Sequence, residues 1–420
     1  MTSGIETITE PRGRRTGAPG AVPGAVTAPG QGAEAPTSTV GTRPDGRSQP
    51  GPATGSEGVL QTLRTGAFEF ETGGALPSVD IAYETWGTLD ADASNAVLVL
   101  HALTGDTHVS RGATELPGWW DDFVGPGRTV DTDRYFVVAP AVLGGCAGTT
   151  GPSSPDPDGR PWGSRFPFTT LRDTVRLEAR LADALGIDAW RAVLGGSMGG
   201  ARALEWAATF PDRVRGCAVL AATAASSAEQ IAFAQIQTRA IRLDPGFHGG
   251  DYYSAPGTLG EGPVEGLGIA RRLAHITYRS DTEFAARFDR LPQGDEDPLG
   301  AVTGRRGRFQ VESYLDHQAR KLTGRFDANA YLNITEALMS HDVGRGRGGV
   351  EAALAGLGHI RFLVAAVASD RLYWPSQSEE LARLLPGCGP VQYIDSPIGH
   401  DAFLTDAPQL SEALRATVLA

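Results

Sequence analysis

Three residues far apart in this 420-residue chain have the types needed for acyl chemistry: Ser197, Asp370 and His400. Ser197 sits in Gly195-Gly196-Ser197-Met198-Gly199, a GxSxG pattern with an apolar run before it and a helical pattern after it. That is the signature of a nucleophile elbow, in which a strand turns sharply into a helix and holds the serine at the tip. The flanking glycines let strand and helix approach closely, and the new helix aims amide donors at any negative charge formed there. A serine hydroxyl is a weak nucleophile at neutral pH; it needs a base to take its proton and a third group to orient that base. In this arrangement the partners follow in the order serine, acid, histidine. Asp370 comes just after the apolar run 360–368, and His400 lies in Ser396-Pro397-Ile398-Gly399-His400-Asp401, past the last strand pattern. Of the eight histidines, only His359 and His400 follow the central helical region, and His359 precedes its strand, at the wrong end. An acyl-transfer oxyanion needs two donors. The amide of Met198 supplies one. The early turn His101-Ala102-Leu103-Thr104-Gly105 supplies the other, from Leu103 first and Thr104 second.

Positioning these groups requires a sheet, and the sequence carries one. Residues 81–86 alternate, while 96–101, 135–139, 192–194, 214–220 and 360–368 are apolar runs of the kind found in strands covered on both faces. Residues 391–394 form the last. Helical patterns over 174–185, 201–208, 376–385 and 409–419 alternate with them, which implies a mostly parallel, doubly covered sheet. Between 224 and 349 the strand runs stop. Helices are predicted at 228–242, 266–275, 282–288, 311–322 and 329–339, separated by Gly/Pro loops. The expected architecture is an α/β-hydrolase fold: a core of 58–223 and 350–420, with 224–349 as a helical lid inserted over the sheet. Residues 1–57 are rich in Gly, Pro, Ser and Thr with no aromatic residue, and are expected to be a disordered tail.

Composition narrows the function. A net charge of −12 argues against a nucleic-acid partner and against an anionic membrane surface, though not against a coenzyme held by a local cationic patch. No apolar run approaches the roughly 20 residues of a membrane helix, and the N-terminus lacks the apolar core of a secretory signal. Cys146, Cys217 and Cys388 are odd in number and have no metal-ligand spacing; they read as reduced cytosolic thiols, and no metal is expected. The residues so far give an acyl-transferring serine enzyme without separating an esterase from an acyltransferase. A non-enzymatic binding protein is disfavoured by the joint presence of Ser197, Asp370 and His400.

From about residue 68 onward the chain resembles the homoserine O-acetyltransferases of the α/β-hydrolase superfamily. The resemblance rests on His101-Ala-Leu-Thr-Gly-Asp106, Gly144-Gly-Cys146, Gly195-Gly-Ser-Met-Gly-Gly200 with Arg202-Ala-Leu-Glu-Trp206, and Gly249-Gly-Asp-Tyr-Tyr253. It continues through Ala270-Arg-Arg272, His275-Ile-Thr-Tyr278, Arg325-Phe-Asp-Ala-Asn-Ala-Tyr331, His341-Asp-Val-Gly344, Ser369-Asp-Arg-Leu-Tyr373 and Gly399-His-Asp401. The resemblance implies a ping-pong reaction. Ser197 takes the acetyl group of acetyl-CoA and passes it to the side-chain hydroxyl of L-homoserine, in methionine synthesis. No cofactor is implied beyond acetyl-CoA as co-substrate; a cytoplasmic homodimer is. It places the carboxylate-binding arginine at Arg271, with Arg272 as the adjacent alternative. Asp401 falls on the amine-binding position, or else tunes His400. Tyr278 falls near the substrate hydroxyl, or else is a core tyrosine. Related members use succinyl-CoA, or serine as acceptor. One departure is Ala141, where the family commonly has asparagine.

Overall fold

The computed structural model describes residues 57–300 and 306–420, so the tail expected over 1–57 lies, but for its last residue, outside the described residues. The main sheet has eight strands among the described residues. In chain order they are β1 (Gln61–Thr65), β2 (Val79–Trp86), β3 (Ala96–Leu100), β4 (Phe136–Pro140), β5 (Ala192–Gly196), β6 (Gly216–Leu220), β7 (Arg361–Val367) and β8 (Gln392–Ile394). Their spatial order is β1-β2-β4-β3-β5-β6-β7-β8. The pairs β1–β2 and β2–β4 are antiparallel. All the remaining neighbours are parallel.

The apolar runs become central strands because both faces are covered. In β3, Leu98 and Leu100 enter the core on one side while Val97 and Val99 enter the core on the other. Helix α1 (Leu171–Leu185) begins three residues earlier than its apolar pattern predicts, because Thr170 and Asp173 form a capping box. Gly186, at φ 74°, ends it in the left-handed conformation. Helix α2 (Met198–Thr209) starts directly on the residue after Ser197.

After β6 the chain leaves the sheet, and among the described residues five α-helices form the insertion before the short helix that leads back to β7. They are α3 (Ala228–Leu243), α4 (Val264–Tyr278), α5 (Asp281–Arg287), α6 (Gln310–Thr323) and α7 (Ala328–Met339). Each lies within a few residues of its expected position. Helix α4 packs against both α3 and α6. A third apolar cluster joins these helices to the sheet domain, with Leu103 and Met198 from below and Ile241, Leu267 and Tyr331 from above. The short helix α8 (Val350–Leu354) precedes β7, and α9 (Pro375–Leu384) joins β7 to β8. Among the described residues no helix is long and apolar enough to cross a membrane.

The end of the chain differs from expectation. Instead of one helix over 409–419, a 3-10 turn at Ala407–Leu410 leads into the short helix Ser411–Ala416. Pro408 lies in the first part of that turn, and after Ala416 the chain ends in a further turn in which the Leu419 carbonyl accepts from the Tyr135 hydroxyl and from Arg191.

Candidate active site

Ser197 stands between β5 and α2 with φ 58° and ψ −124°, a strained combination for a residue with a side chain. The elbow is held from both sides. The Ser197 amide donates to the Leu220 carbonyl at 2.9 Å. A Cβ on Gly199 would lie 2.0 Å from the Leu100 carbonyl oxygen, and one on Gly195 2.6 Å from the same atom. Only glycine lets α2 close on β3 and β5 at this point. Met198 is the first residue of α2, so its amide is one of the helix's N-terminal donors with no partner within the helix.

Beneath the elbow lies a buried ion pair. Arg202 and Glu178 are both buried and joined by hydrogen bonds, the Arg202 Nε to Glu178 Oε1 bond at 3.1 Å. The Trp206 indole donates to the other carboxylate oxygen at 2.7 Å. Arg202 also donates to the His101 carbonyl at 3.4 Å, at the start of the turn that carries Leu103. His101 is locked in the same way. Its Nε2 accepts from the Val142 amide at 3.1 Å, so the ring proton is on Nδ1, which donates to the Ala102 carbonyl at 2.7 Å. Burial, and the nearby Arg202 charge, push its pKa down to about 3, so the imidazole is neutral. His101 therefore shapes the turn, and the turn brings Leu103 against Ser197 on the wall of two cavities.

Asp370 and His400 are brought together from opposite ends of the β7–β8 segment. The Asp370 Oδ2 accepts from His400 Nδ1 at 2.7 Å. Its Oδ1 accepts from the amides of Leu372 and Tyr373 at 2.8 and 2.9 Å. Both side chains are almost wholly buried. Burial pulls the His400 pKa down, but the charge and hydrogen bond of Asp370, with Asp401 behind, outweigh it and hold it above the ordinary histidine value. The other ring nitrogen, Nε2, is buried with no hydrogen-bond partner. An orphaned buried nitrogen is costly in a resting core, and it is what a base waiting for a substrate proton presents. The Tyr373 ring stacks on His400 at 5.1 Å and 21°.

The larger cavity has a volume of about 360 Å³ and includes Ser197 and His400 in its wall. Arg271 and Tyr278 of α4 line it, with Asp401, Arg325 and Asp106. Arg271 donates to the Thr104 hydroxyl at 3.3 Å and stands 5.8 Å over the Tyr278 ring, while its Nε is buried without a partner. Arg272 points elsewhere, donating twice to Asp316 at 3.1 and 2.9 Å. Asp401 is paired with Arg279 at 3.1 Å. Burial lifts its pKa above the usual carboxylate value, against the pull of Arg279, His400 and Arg271. Burial also pushes the Tyr278 hydroxyl up to about 12, so it is a protonated donor.

Residues 95–407 match the family described as the α/β hydrolase fold. The homoserine O-acetyltransferase of Thermobifida fusca is 60% identical over 348 residues, 82% of this chain and 89% of that protein. The homoserine O-acetyltransferase of Mycolicibacterium smegmatis is 50% identical over 86% of this chain and 94% of its own length. The chain belongs to the homoserine O-acetyltransferase family. The crystal structure of the Bacillus anthracis homoserine O-acetyltransferase superposes with a TM-score of 0.78 at 26% identity, covering 86% of this chain and 98% of that one. An acetylester hydrolase from Corynebacterium glutamicum superposes with a TM-score of 0.71 at 27% identity, covering 86% and 97%. The family fold thus carries both transferases and hydrolases.

The residues expected from sequence converge in this structure: Ser197, His400, Leu103, Arg271, Tyr278 and Asp401 share one cavity wall, with Asp370 behind His400. Sequence reasoning gave no role to Tyr373 or Arg325, although both stand inside quoted motifs. Arg325 donates to the Thr104 carbonyl at 3.0 Å and lines the larger cavity. Ala141 is buried and lines neither cavity; its amide donates to the Ala82 carbonyl at 2.9 Å and its carbonyl accepts from Thr149 at 2.9 Å.

Proposed function

We propose that the protein transfers the acetyl group of acetyl-CoA to the side-chain hydroxyl of L-homoserine through an acyl-serine intermediate on Ser197. The observation that carries this is the presence of Arg271 in the same cavity as Ser197 and His400. Hydrolysis of a simple ester needs no fixed cation beside the serine. An amino-acid acceptor does, because an arginine fork binds its carboxylate in two places.

His400 Nε2 takes the Ser197 proton as the oxygen attacks the thioester carbonyl. The C–O bond forms, and the C–S bond breaks as the proton passes from His400 to the departing sulfur. Asp370 holds the imidazole in the right tautomer and stabilises its charged form, which completes a catalytic triad. The amides of Met198 and Leu103 receive the oxyanion; one such donor is typically worth about 3 kcal/mol of barrier. Homoserine then binds with its carboxylate on Arg271, its amine toward Asp401 and its hydroxyl near Tyr278. His400 removes the hydroxyl proton, the C–O bond to homoserine forms, and the acyl C–O bond to Ser197 breaks as His400 returns that proton to the Ser197 oxygen. No cofactor takes part.

This reaction places the protein in methionine synthesis, and the three free thiols suit a cytoplasmic enzyme. The apolar side chains Ile236 and Leu243 of α3 and Ile269 of α4 are exposed, which supports a homodimer formed through the lid. Free thiol release from acetyl-CoA or succinyl-CoA, each with homoserine, serine or neither, tests the assignment. Release from acetyl-CoA that depends on homoserine is expected. Equal release without any acceptor makes the protein an esterase instead.

A further inference from the structure

A second, smaller cavity of about 60 Å³ meets the larger one at Ser197. The two share Ser197, Leu103 and Tyr278, but His400 lines only the larger. The smaller one lies between α3 and α7, with Phe233 and Ala234 on one wall, Thr335, Leu338 and Met339 on the other, and Tyr373 at the serine end. No charged residue lines it. The Thr335 hydroxyl is buried there with no hydrogen-bond partner.

The stereochemistry of acyl transfer assigns this space, and the assignment rests on the transferase reading given above. In the tetrahedral intermediate the carbon bonded to Ser197 Oγ carries three other groups. One is the oxyanion, directed at the amides of Leu103 and Met198. Another is the sulfur that leaves or the hydroxyl oxygen that attacks. Both exchange a proton with His400 Nε2, so both belong to the larger cavity, which His400 lines. The remaining group is the acyl substituent, and the direction left for it is the smaller cavity.

We propose that this cavity is the acyl chamber, and that it admits neutral straight-chain acyl groups longer than acetyl, namely propionyl and butyryl, while rejecting succinyl. Two properties carry the claim. The chamber, at about 60 Å³, is several times the ~10–15 Å³ that one water needs on the same scale, so a methyl group leaves it underfilled. Its wall offers neutral polar groups such as Gln230 and Gln237 but no cation, so a second carboxylate would be buried without a counter-charge. With acetyl bound, the spare room suits a water on the Thr335 hydroxyl; a longer chain displaces it.

The test uses the full-length protein with acetyl-, propionyl-, butyryl- and succinyl-CoA, scored by thiol release with homoserine and by the mass added to Ser197. Propionyl and butyryl donors are expected to turn over within about tenfold of acetyl, as befits a pocket that discriminates by single methylenes. Succinyl is expected to be at least about a hundredfold slower. Ala234→Leu and Thr335→Leu fill the chamber from opposite walls. Each is expected to lower the butyryl-to-acetyl ratio of kcat/KM by about tenfold or more. The KM for homoserine, which binds on the other side of Ser197, should stay as it was. Acetyl transfer without propionyl or butyryl transfer overturns the proposal and leaves the transferase assignment standing. So does a rise in homoserine KM in both filled variants with an unchanged donor ratio. No homoserine-dependent release from acetyl-CoA at all removes the transferase assignment, and the proposal with it.

Discussion

Gly399 is pressed against Ser280: a Cβ at Gly399 would lie 2.5 Å from the Ser280 amide nitrogen. The contact joins the lid to the chemistry. The Ser280 amide donates to the Ile398 carbonyl at 3.0 Å, and the Asp401 amide to the Tyr278 carbonyl at 3.2 Å. The loop carrying His400 is therefore bonded on both sides of Gly399 to the chain leaving α4, the helix that supplies Arg271 and Tyr278. Gly399 also sits at φ 95°, where a side chain is strained. Gly399→Ala is expected to destabilise the fold by about 1–3 kcal/mol. It should also cut kcat about 10²-fold, because a 1 Å displacement of His400 spoils proton transfer. Urea unfolding and steady-state kinetics measure the two losses. A stability loss with unchanged kcat would show that the loop position is not set here.

Asp370→Asn is expected to lower kcat by about 10⁴-fold with the fold intact, as loss of the orienting carboxylate does in such triads. The pH profile should shift as well. Asp370 holds the His400 pKa up, and the working base is the neutral imidazole. Activity in the parent therefore rises with pH through that raised value, and the residual activity of the variant should rise at lower pH. The same pairing contributes to stability. That contribution is complete below the ordinary histidine value of about 6.5 and is lost as pH rises through the raised folded value. The parent should lose stability across this window relative to the variant, as followed by urea midpoints.

Arg271→Ala is expected to raise the KM for homoserine by about 10- to 100-fold, the size of a lost charge-assisted pair. Formation of the acyl-enzyme from acetyl-CoA should change little. Arg271→Lys should recover only part of the loss, since an ammonium cannot form the two-pronged contact. Rapid-mixing measurement of the first thiol burst separates the half-reactions. An equal loss in both would make Arg271 a structural residue.

Arg202→Met is expected to destabilise by about 3–5 kcal/mol, because Glu178 is left charged and buried with only the Trp206 indole as partner. Adding Glu178→Leu to the same chain should recover much of that loss, since the unpaired charge goes with it. Denaturant midpoints of the two variants decide the matter; no recovery in the double variant would mean that the pair stabilises through its shape instead.

Much of this site is legible in the sequence because the elbow is a local feature: strand, glycines, serine and helix follow one another within a single stretch. The acid and histidine are legible from order along the chain and from the strands they follow. Other parts are not local. Edge strand β1 (Gln61–Thr65) is only half-buried on alternate residues, and its polar composition gives no apolar run. Tyr373 reaches His400 through a ring stack, Arg325 reaches the cavity across the lid–core seam, and Arg279 occupies Asp401 by a contact across the chain. Such meetings depend on how the lid docks, and spacing alone does not encode them. The second cavity is of the same kind, since its walls come from helices about a hundred residues apart in sequence.

The left-handed backbone at Ser197 has a consequence for anyone improving this protein. Glycine is the residue that relaxes there, so Ser197→Gly should melt at a higher temperature than the parent while transferring nothing. A screen that rewards heat resistance alone would drift toward that inert form. Directed evolution of this scaffold must therefore score turnover and robustness together.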